Sequence, residues 1–259
     1  MNRKWRFDSE STLEFTKVRQ AVVGELLAIL RERTGLVSAL DVGCGLGHFS
    51  RFLADLNLRV VAIDAREENV QEAKRRNPDI TFHVANAEEI SAEQLETFDF
   101  VLCVGLVYHL ENPFRAIRNL HELTKKVLFL ESLTVPGPNP ELRLIDENQG
   151  EDQGVNYVAL CPTESCLVKL LYRSGFPFVY GLKTPPDHPI LFDENKRRER
   201  VMLVASKEEL SIPTLQWLPE QAFSFGMAAG LSGNNFSAFT RFKHLIRTMM
   251  SRGAGNRSK

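Results

Sequence analysis

Residues 39–50 read Ala-Leu-Asp-Val-Gly-Cys-Gly-Leu-Gly-His-Phe-Ser, and residues 60–64 read Val-Val-Ala-Ile-Asp. This stretch predicts a buried strand, a glycine-rich turn, a helix and a second buried strand that ends in an acid. Gly43, Gly45 and Gly47 let the backbone turn sharply with positive φ and keep side chains out of the way of a ligand. The free amides at the start of the next helix would face that ligand.

The glycine spacing separates two classes of ligand. Dinucleotide-binding turns follow Gly-x-Gly-x-x-Gly and hold a pyrophosphate on the helix amides, whereas this turn reads Gly-x-Gly-x-Gly. Asp41, two residues before the turn, would repel a diphosphate and attract a positive charge. Asp64, at the end of the second strand, could accept hydrogen bonds from both hydroxyls of a ribose. The pattern favours S-adenosylmethionine (SAM), and a tight turn in any α/β protein is the structural alternative.

Apolar runs alternate with helical patterns along most of the chain, after a leading amphipathic helix predicted over 10–33. The predicted strands lie near 37–42, 59–64, 80–85, 98–104, 126–131, 176–180 and 200–205. The predicted helices lie near 47–56, 66–76 and 112–124, and a further helix starts in Cys-Pro-Thr-Glu-Ser at 161–165. This alternation predicts an α/β fold with a doubly wound, mostly parallel, seven-stranded sheet covered on both faces.

The chain divides into three predicted parts: an N-terminal helical extension over 1–35, a central domain over 36–206 and a C-terminal extension over 207–259. The central domain carries a polar, acidic insertion at about 132–160. From residue 221 onward the chain has six Arg or Lys and no Asp or Glu. Residues 236–250 predict a basic amphipathic helix, which could lie on an anionic membrane or hold an acidic substrate. Docking on the domain or on a second subunit is the favoured interpretation.

Composition excludes several classes of protein. The chain has 259 residues, 43% of them apolar, and a formal net charge of -1, so its overall field gives no reason to expect nonspecific attraction to nucleic acid. The four cysteines form no Cys-x-x-Cys pair and no zinc-like cluster, so no metal is expected. A signal peptide and a membrane span are not recognisable in the sequence. We therefore expect a cytoplasmic protein with reduced thiols; the sequence does not indicate an oligomeric state.

Polar residues recur where the predicted strands end. Asn86-Ala87 follows the third strand, and Gly105 to His109 follow the fourth. Ligands of doubly wound sheets lie beyond the carboxyl ends of the strands. His109 is the best candidate for a general base, because an imidazole titrates near neutrality. The alternative role for His109 is to shape the pocket or to cap the next helix.

The fourth strand and the turn after it resemble a known family. Residues 108–113 match the Tyr-His-Leu-x-x-Pro form of the fourth motif of class I SAM-dependent methyltransferases, and the glycine turn resembles their first motif. The run Pro-Thr-x-x-x-Leu-x-x-x-Leu-x-x-x-Gly-Phe at 162–176 is similar to a feature of the same relatives. These relatives include generic small-molecule and glycan methyltransferases and the wobble-uridine transfer RNA methyltransferase group. The resemblance covers roughly 36–206 and implies a Rossmann-like methyltransferase domain there.

The resemblance implies methyl transfer from SAM to a small-molecule or sugar acceptor. Oxygen is the expected accepting atom, because a hydroxyl group benefits from a base such as His109. A transfer RNA uridine modifier is one alternative, and a SAM-binding sensor or adaptor without turnover is another. The expected catalytic residue is His109. The expected cofactor-binding residues are Asp41, Gly43, Cys44, Gly45, Gly47, Asp64, Ala65, Asn86, Ala87 and Val104. In the family an Asp often stands where this chain has Asn86, whose carbonyl can still accept a hydrogen bond from adenine.

A few further side chains carry weaker expectations. Glu131, at the end of the fifth strand, could face the acceptor or act as a structural partner of the insertion. The acidic run Asp146, Glu147, Glu151 and Asp152 predicts a solvated loop, since its spacing is unlike an EF-hand. Cys103 is expected to be buried in its strand, because nothing near it in sequence would lower its pKa.

Overall fold

The computed structural model describes residues 4–150, 152–192 and 199–223. Its first long element is helix α1, Glu10–Thr34, close to the predicted leading helix. The Ser9 side chain accepts a hydrogen bond from the backbone N–H of Thr12, and Gly35 ends the helix in the left-handed conformation at φ 62°. The buried face of α1 packs into the core through Phe15, Val23, Leu26, Leu27 and Leu30.

The centre of the fold is an eight-stranded sheet. In chain order the strands of the protein are β1 Ser38–Val42, β2 Arg59–Asp64, β3 Thr81–Val84, β4 Phe98–Val104, β5 Thr124–Leu133, β6 Leu142–Asp146, β7 Val158–Pro162, β8 Phe178–Leu182, β9 Arg200–Ser206 and β10 Leu215–Trp217. The order across the sheet is β10-β8-β9-β5-β4-β1-β2-β3. Neighbours from β3 to β5 pair in parallel, and the β5–β9, β9–β8 and β8–β10 pairs are antiparallel. The predicted α/β class and its mostly parallel sheet are confirmed.

The described residues form four more α-helices beside the sheet: α2 His48–Asp55, α3 Glu67–Arg76, α4 Pro113–Leu123 and α5 Glu164–Arg173. Successive strand residues point to opposite faces, so the core divides into two layers. Ala39 belongs to the layer under α1, α2 and α3, whereas Leu40 and Val42 belong to the layer under α4 and α5. Both faces of the sheet are therefore covered. Within the described ranges, no helix is long and apolar enough to cross a membrane.

The sheet has one strand more than the seven predicted. Strand β10 pairs with β8 in the register Leu215 to Leu182, in a segment where the sequence shows no strand alternation. Its short length explains the omission, because three residues cannot show a period of two. Tyr172 donates its hydroxyl to the carbonyl oxygen of Leu218 at 2.7 Å and ties the segment after β10 to α5.

The predicted boundary at 206/207 also differs from the structure. The compact unit that contains the sheet extends to Glu220, so residues 207–220 belong with the sheet. The predicted basic helix over 236–250 lies outside the described residues.

The insertion at 132–160 contains a hairpin that the sequence analysis did not predict. Strands β6 and β7 pair antiparallel as a separate two-stranded sheet. Every residue of β6 is exposed, which removes the alternating pattern that reveals a half-buried strand. Pro162 ends β7 and does not lie in the first turn of the next helix. Helix α5 begins at Glu164, where the Thr163 hydroxyl accepts a hydrogen bond from the backbone N–H of Cys166 at 3.2 Å.

Candidate active site

The glycine turn after β1 uses all three glycines in the left-handed region. Their φ values are 75° at Gly43, 52° at Gly45 and 81° at Gly47. The backbone N–H groups of Gly43 and Cys44 both donate to the carbonyl oxygen of Ile63 at 2.9 Å, which holds the turn against the end of β2. Residues with a Cβ rarely adopt these conformations, so the chain needs glycine at each position.

The three glycines have different surroundings. A Cβ at Gly45 would lie 2.9 Å from the ring of Phe7, and a Cβ at Gly47 would lie 2.9 Å from Nδ2 of Asn77. Gly43 lines the large cavity described below, and Gly45 and Gly47 do not. The second and third glycines therefore allow close packing, of Gly45 against Phe7, which itself lines the cavity, and of Gly47 against Asn77.

Asp64 is tied to this turn by its carboxylate. Oδ2 accepts a hydrogen bond from the backbone N–H of Gly45 at 2.9 Å. Oδ1 accepts from the backbone N–H of Arg66 at 2.9 Å and from Nδ2 of Asn69 at 3.2 Å. Burial raises the pKa of Asp64, and these three donors oppose the shift. A carboxylate offers about four acceptor positions, so about one remains for a ligand.

Asp41 lies behind the turn and does not line the cavity. Its side chain is buried, and its Oδ2 accepts a hydrogen bond from Oγ of Ser50 at 2.6 Å. Burial raises the pKa of Asp41 to about 7, an effect that the Ser50 hydroxyl opposes and the Asp64 charge reinforces. The carboxyl group thus joins β1 to the first turn of α2 and does not face the cavity.

The cavity has a volume of about 890 Å³ and lies beyond the carboxyl ends of β1, β2, β3 and β4. Eight of the expected site residues line it: Gly43, Cys44, Asp64, Ala65, Asn86, Ala87, Val104 and His109. Three expected residues do not: Asp41, Gly45 and Gly47. The structure therefore brings together most of the residues that were predicted to lie at the ends of the strands.

Asn86 has a local role in this structure. Its Oδ1 accepts a hydrogen bond from the backbone N–H of Glu88 at 3.0 Å, which is an Asx turn after β3. The next carbonyl, that of Ala87, accepts a hydrogen bond from Nδ2 of Asn119 at 3.0 Å. Contact of Asn86 with an adenine stays a prediction.

His109 ends a short 3-10 turn, Val107–His109, that follows β4. Its Nδ1 lies 2.5 Å from Oε1 of Glu147, and the two side chains are 8% and 7% exposed. The atoms are at hydrogen-bond distance, but the ring N–H is not aligned with the carboxylate, so Nδ1 has no formal hydrogen bond. We regard this as a close electrostatic contact. Burial lowers the pKa of His109 below its usual value, and the carboxylate of Glu147 opposes the shift.

Glu147 corrects the prediction of a solvated acidic loop. Asp146 is exposed as expected, but Glu147 is buried against His109. Asp152 forms an ion pair with Arg6 at 3.1 Å, and Glu151 lies outside the described residues. No local sequence pattern indicates this buried carboxylate, because Glu147 and His109 are far apart in the chain and meet only through the β6–β7 hairpin.

A second buried cluster lies beside His109 and centres on Glu131. Nη2 of Arg19 donates to Oε2 of Glu131 at 2.8 Å, and Nη1 of Arg200 donates to Oε1 at 3.0 Å. Nη2 of Arg200 also donates to the hydroxyl of Tyr108 at 3.4 Å, and the Phe15 ring lies 3.6 Å from the Arg19 guanidinium. Glu131 is fully buried, its two ion-pair partners lie outside the insertion, and it does not line the cavity, so the structure supports neither role expected for it.

Arg19 and Arg200 are site residues that the sequence analysis missed. Both line the cavity together with Phe15 and Tyr108. Nε of Arg19 is buried and has no hydrogen-bond partner. Arg19 lies in α1, where the spacing of the apolar residues predicts only an amphipathic helix. The one sequence feature that could have indicated a buried role is that this charged residue lies within the apolar stripe.

The loop that follows β6 covers part of the cavity. Residues 152–156 contribute to the cavity lining. Nη2 of Arg66 donates to the carbonyl oxygens of Gln153 at 3.2 Å and Gly154 at 3.1 Å. Because Arg66 follows Asp64 closely in the chain, these bonds join the loop to the end of β2. The insertion is therefore part of the site and covers one side of it.

The described residues provide neither a reactive cysteine nor a metal-binding cluster at the site. Cys44, Cys103, Cys161 and Cys166 are free and buried. Burial raises the pKa of the Cys103 thiol far above its usual value, which disfavours the nucleophilic thiolate. Among the described residues, no three His, Cys, Asp or Glu side chains cluster as metal ligands would.

Comparison with known proteins agrees with this geometry. Residues 40–127, which run from β1 into β5, match the family model described as a methyltransferase domain. These residues belong to the class I SAM-dependent methyltransferase family. The methyltransferase match thus contains the glycine turn, Asp64, Asn86 and His109.

Similar proteins extend the comparison beyond the domain. A ubiquinone biosynthesis O-methyltransferase from Caulobacter vibrioides is 32% identical over 132 residues, which are 46% of this chain and 52% of that protein. One of the same name from Xanthomonas campestris is 36% identical over 100 residues, covering 36% of this chain and 42% of that protein. The alignments thus span about half the length of these relatives or less.

Solved methyltransferase structures share the fold at lower identity. The N-terminal domain of EvdMO1 with SAH bound has a TM-score of 0.57 and 17% identity, covering 69% of this chain and 78% of that one. Magnesium protoporphyrin IX methyltransferase from Synechocystis with bound SAM has a TM-score of 0.52 and 19% identity, covering 80% and 87%. These similarities support the Rossmann-like methyltransferase fold.

Proposed function

We propose that this protein transfers the methyl group of SAM to an oxygen atom of a small-molecule acceptor. The observation that carries the proposal is that one cavity is lined by both Asp64 and His109. A donor site and a candidate base therefore share one space. The names of the relatives, ubiquinone biosynthesis O-methyltransferases, support oxygen as the accepting atom.

The residues at the glycine turn fit SAM as the donor. The cavity, at about 890 Å³, lies within the usual range of about 300–1,000 Å³ for small-ligand sites. Gly43 and Cys44 would run along the methionine end, and the remaining acceptor position of Asp64 would bind a ribose hydroxyl. Arg19, with its buried and unpartnered Nε, would bind the methionine carboxylate. When bound, SAM supplies an electrophilic methyl group on a positively charged sulfur.

The part of the cavity beside His109 would take an acceptor with apolar surface. The ring of Tyr108 lines it, with its centroid 4.0 Å from that of His109. The lowered pKa of His109 keeps the imidazole neutral near pH 7, the form that accepts a proton. A hydroxyl group loses its proton as it attacks, so it gains from such a base. We therefore favour a phenolic or alcoholic hydroxyl on a small molecule, with a sugar hydroxyl as the alternative.

The protein would act mainly by alignment and by excluding water. Methyl transfer needs the acceptor oxygen close to the methyl carbon and in line with the carbon–sulfur bond. The loop at 152–156, held by the hydrogen bonds from Arg66, would cover the reactants. His109 would accept the hydroxyl proton as the oxygen–carbon bond forms.

Release of S-adenosylhomocysteine (SAH) tests this function directly. The full chain would be incubated with SAM and a panel of catechols, phenols, simple alcohols and free sugars, and SAH would be measured by mass spectrometry. We expect acceptor-dependent SAH release that falls by about 10²–10⁴-fold in H109A, while SAH still binds. His83→Ala is the matched control, because His83 is exposed on β3 outside the cavity and its loss should leave release unchanged. Tight SAM binding with no release for any acceptor would instead favour a sensor.

A further inference from the structure

The buried contact between His109 and Glu147 joins the matched methyltransferase domain to the hairpin insertion. Residues 40–127 match the methyltransferase model, whereas Glu147 follows β6 in the hairpin insertion. Nδ1 of His109 lies 2.5 Å from Oε1 of Glu147, and the side chain of each is less than one-tenth exposed. The insertion therefore brings a carboxylate to the candidate base from outside the common domain.

The hairpin fixes Glu147 at both main chain and side chain. Its backbone N–H donates to the carbonyl oxygen of Tyr157 at 2.9 Å, and its Oε2 accepts from the backbone N–H of Gly154 at 2.9 Å. A Cβ at Gly154 would lie 2.8 Å from the carbonyl oxygen of His109. Because glycine at 154 allows this close approach, the loop is shaped to bring its carboxylate against the histidine.

We propose that Glu147 is a positioning residue that fixes the ring orientation and tautomer of His109 for proton transfer. The carboxylate holds the proton on Nδ1, which leaves Nε2 as the ring nitrogen that accepts a proton from the acceptor. This inference rests on the proposed function and deepens it: the acceptor is a hydroxyl that must lose a proton, since an ionised carboxylate would need no base. A small rotation of the ring would align Nδ1–H with Oε1.

Methyl transfer and proton transfer would occur together at the acceptor oxygen. The acceptor oxygen forms a bond to the methyl carbon of SAM as the carbon–sulfur bond breaks, and the electron pair of that bond stays on the sulfur of SAH. The hydroxyl proton moves to Nε2 of His109. The resulting imidazolium faces the carboxylate of Glu147, which stabilises its charge.

Other charged groups also act on His109. Arg200, at the start of β9, disfavours the imidazolium, and Asp152, from the same loop as Glu147, favours it. The ring of Tyr108 lies with its centroid 4.0 Å from that of His109. Among the described residues, Glu147 is the carboxylate in direct contact with the ring, so its removal has a larger expected effect than the loss of any more distant charge.

Nitrogen NMR of the full chain tests the positioning role without an acceptor. The ring ¹⁵N shifts of neutral His109 would be measured in wild type, E147A and D146A, with SAH binding as a check of the fold. We expect the Nδ1–H tautomer in wild type and in D146A, and the Nε2–H tautomer in E147A. Asp146 is the matched control, because it is the exposed neighbour on the same hairpin. An Nε2–H tautomer in wild type, or a tautomer that E147A leaves unchanged, would overturn the proposal.

A second variant separates hydrogen bonding from charge. E147Q keeps an amide oxygen that can accept from Nδ1–H but removes the negative charge. We expect the measured pKa of His109 to fall by about 1 in E147Q and to stay unchanged in D146N. An equal response in the two variants would contradict a role for Glu147. If wild type did not bind SAH, the proposed function would be contradicted. That outcome is distinct from an unchanged His109 pKa in E147Q, which would contradict only the role of Glu147.

Discussion

Gly45 donates its backbone N–H to Oδ2 of Asp64 at 2.9 Å. The glycine turn and the acid that ends β2 are thus one hydrogen-bonded unit, although 19 positions separate Gly45 from Asp64. Positive φ at Gly45 directs the amide toward the carboxylate, and the carboxylate in turn faces the cavity. A substitution at either residue therefore changes the conformation of both.

Asp41 makes stability depend on pH. Burial raises its pKa from 3.8 to about 7 in the folded state. A raised carboxyl pKa stabilises the fold below about pH 4, and this contribution is lost as the pH rises through 7. We predict that D41N removes about 2–3 kcal/mol of this loss between pH 5 and pH 8, because about two of the roughly three pKa units of the shift fall in that interval and each unit is worth about 1.4 kcal/mol. Urea unfolding of both proteins at pH 5 and pH 8 measures it; an identical pH dependence would refute the prediction.

Glu131 stabilises two buried guanidinium groups at once. Removing its charge leaves Arg19 and Arg200 buried with no carboxylate between them. We predict that E131Q lowers the free energy of unfolding by about 3–5 kcal/mol. The control is E96Q, which breaks the exposed Arg59–Glu96 pair and should cost less than about 1 kcal/mol. Equal effects in chemical denaturation would show that the Glu131 cluster is not a structural centre.

Gly47 and Gly35 separate steric packing from backbone strain. Both have positive φ, but a Cβ at Gly47 would meet Asn77 and Phe82, whereas nothing lies within 4 Å of a Cβ at Gly35. We predict that G35A costs about 1–2 kcal/mol from the left-handed conformation alone. G47A should cost about 1–3 kcal/mol more because it adds overpacking. Thermal and urea unfolding of the two variants would compare them, and a G47A no worse than G35A would argue against the packing role.

The sequence predicted those elements of the fold whose residues form a recognisable pattern over a short stretch of chain. The glycine turn and the strands that end at Asp64 and Val104 are confirmed because continuous apolar runs and closely spaced glycines leave a signal within a few residues. Strand β6 left no such signal, since all its residues are exposed, and β10 is too short to show a period.

The missed site residues depend on contacts between distant parts of the chain. Arg19 and Glu131 are 112 positions apart, and Arg200 lies another 69 beyond Glu131. Glu147 reaches His109 only because the hairpin folds back over the cavity. A single sequence does not reveal such pairings, because no spacing rule links a helix, a strand end and an insertion loop.

Isothermal titration of SAH into wild type, D64A and D79A tests the central claim most directly. Asp64 faces the cavity, whereas Asp79 is exposed and pairs with Arg51 on the surface. We predict that wild type and D79A bind SAH equally and that D64A binds about 10–100-fold more weakly, because a charged hydrogen bond contributes about 1.5–3 kcal/mol. Unchanged SAH affinity in D64A, or no SAH binding by wild type, would contradict the assignment of this cavity to SAM.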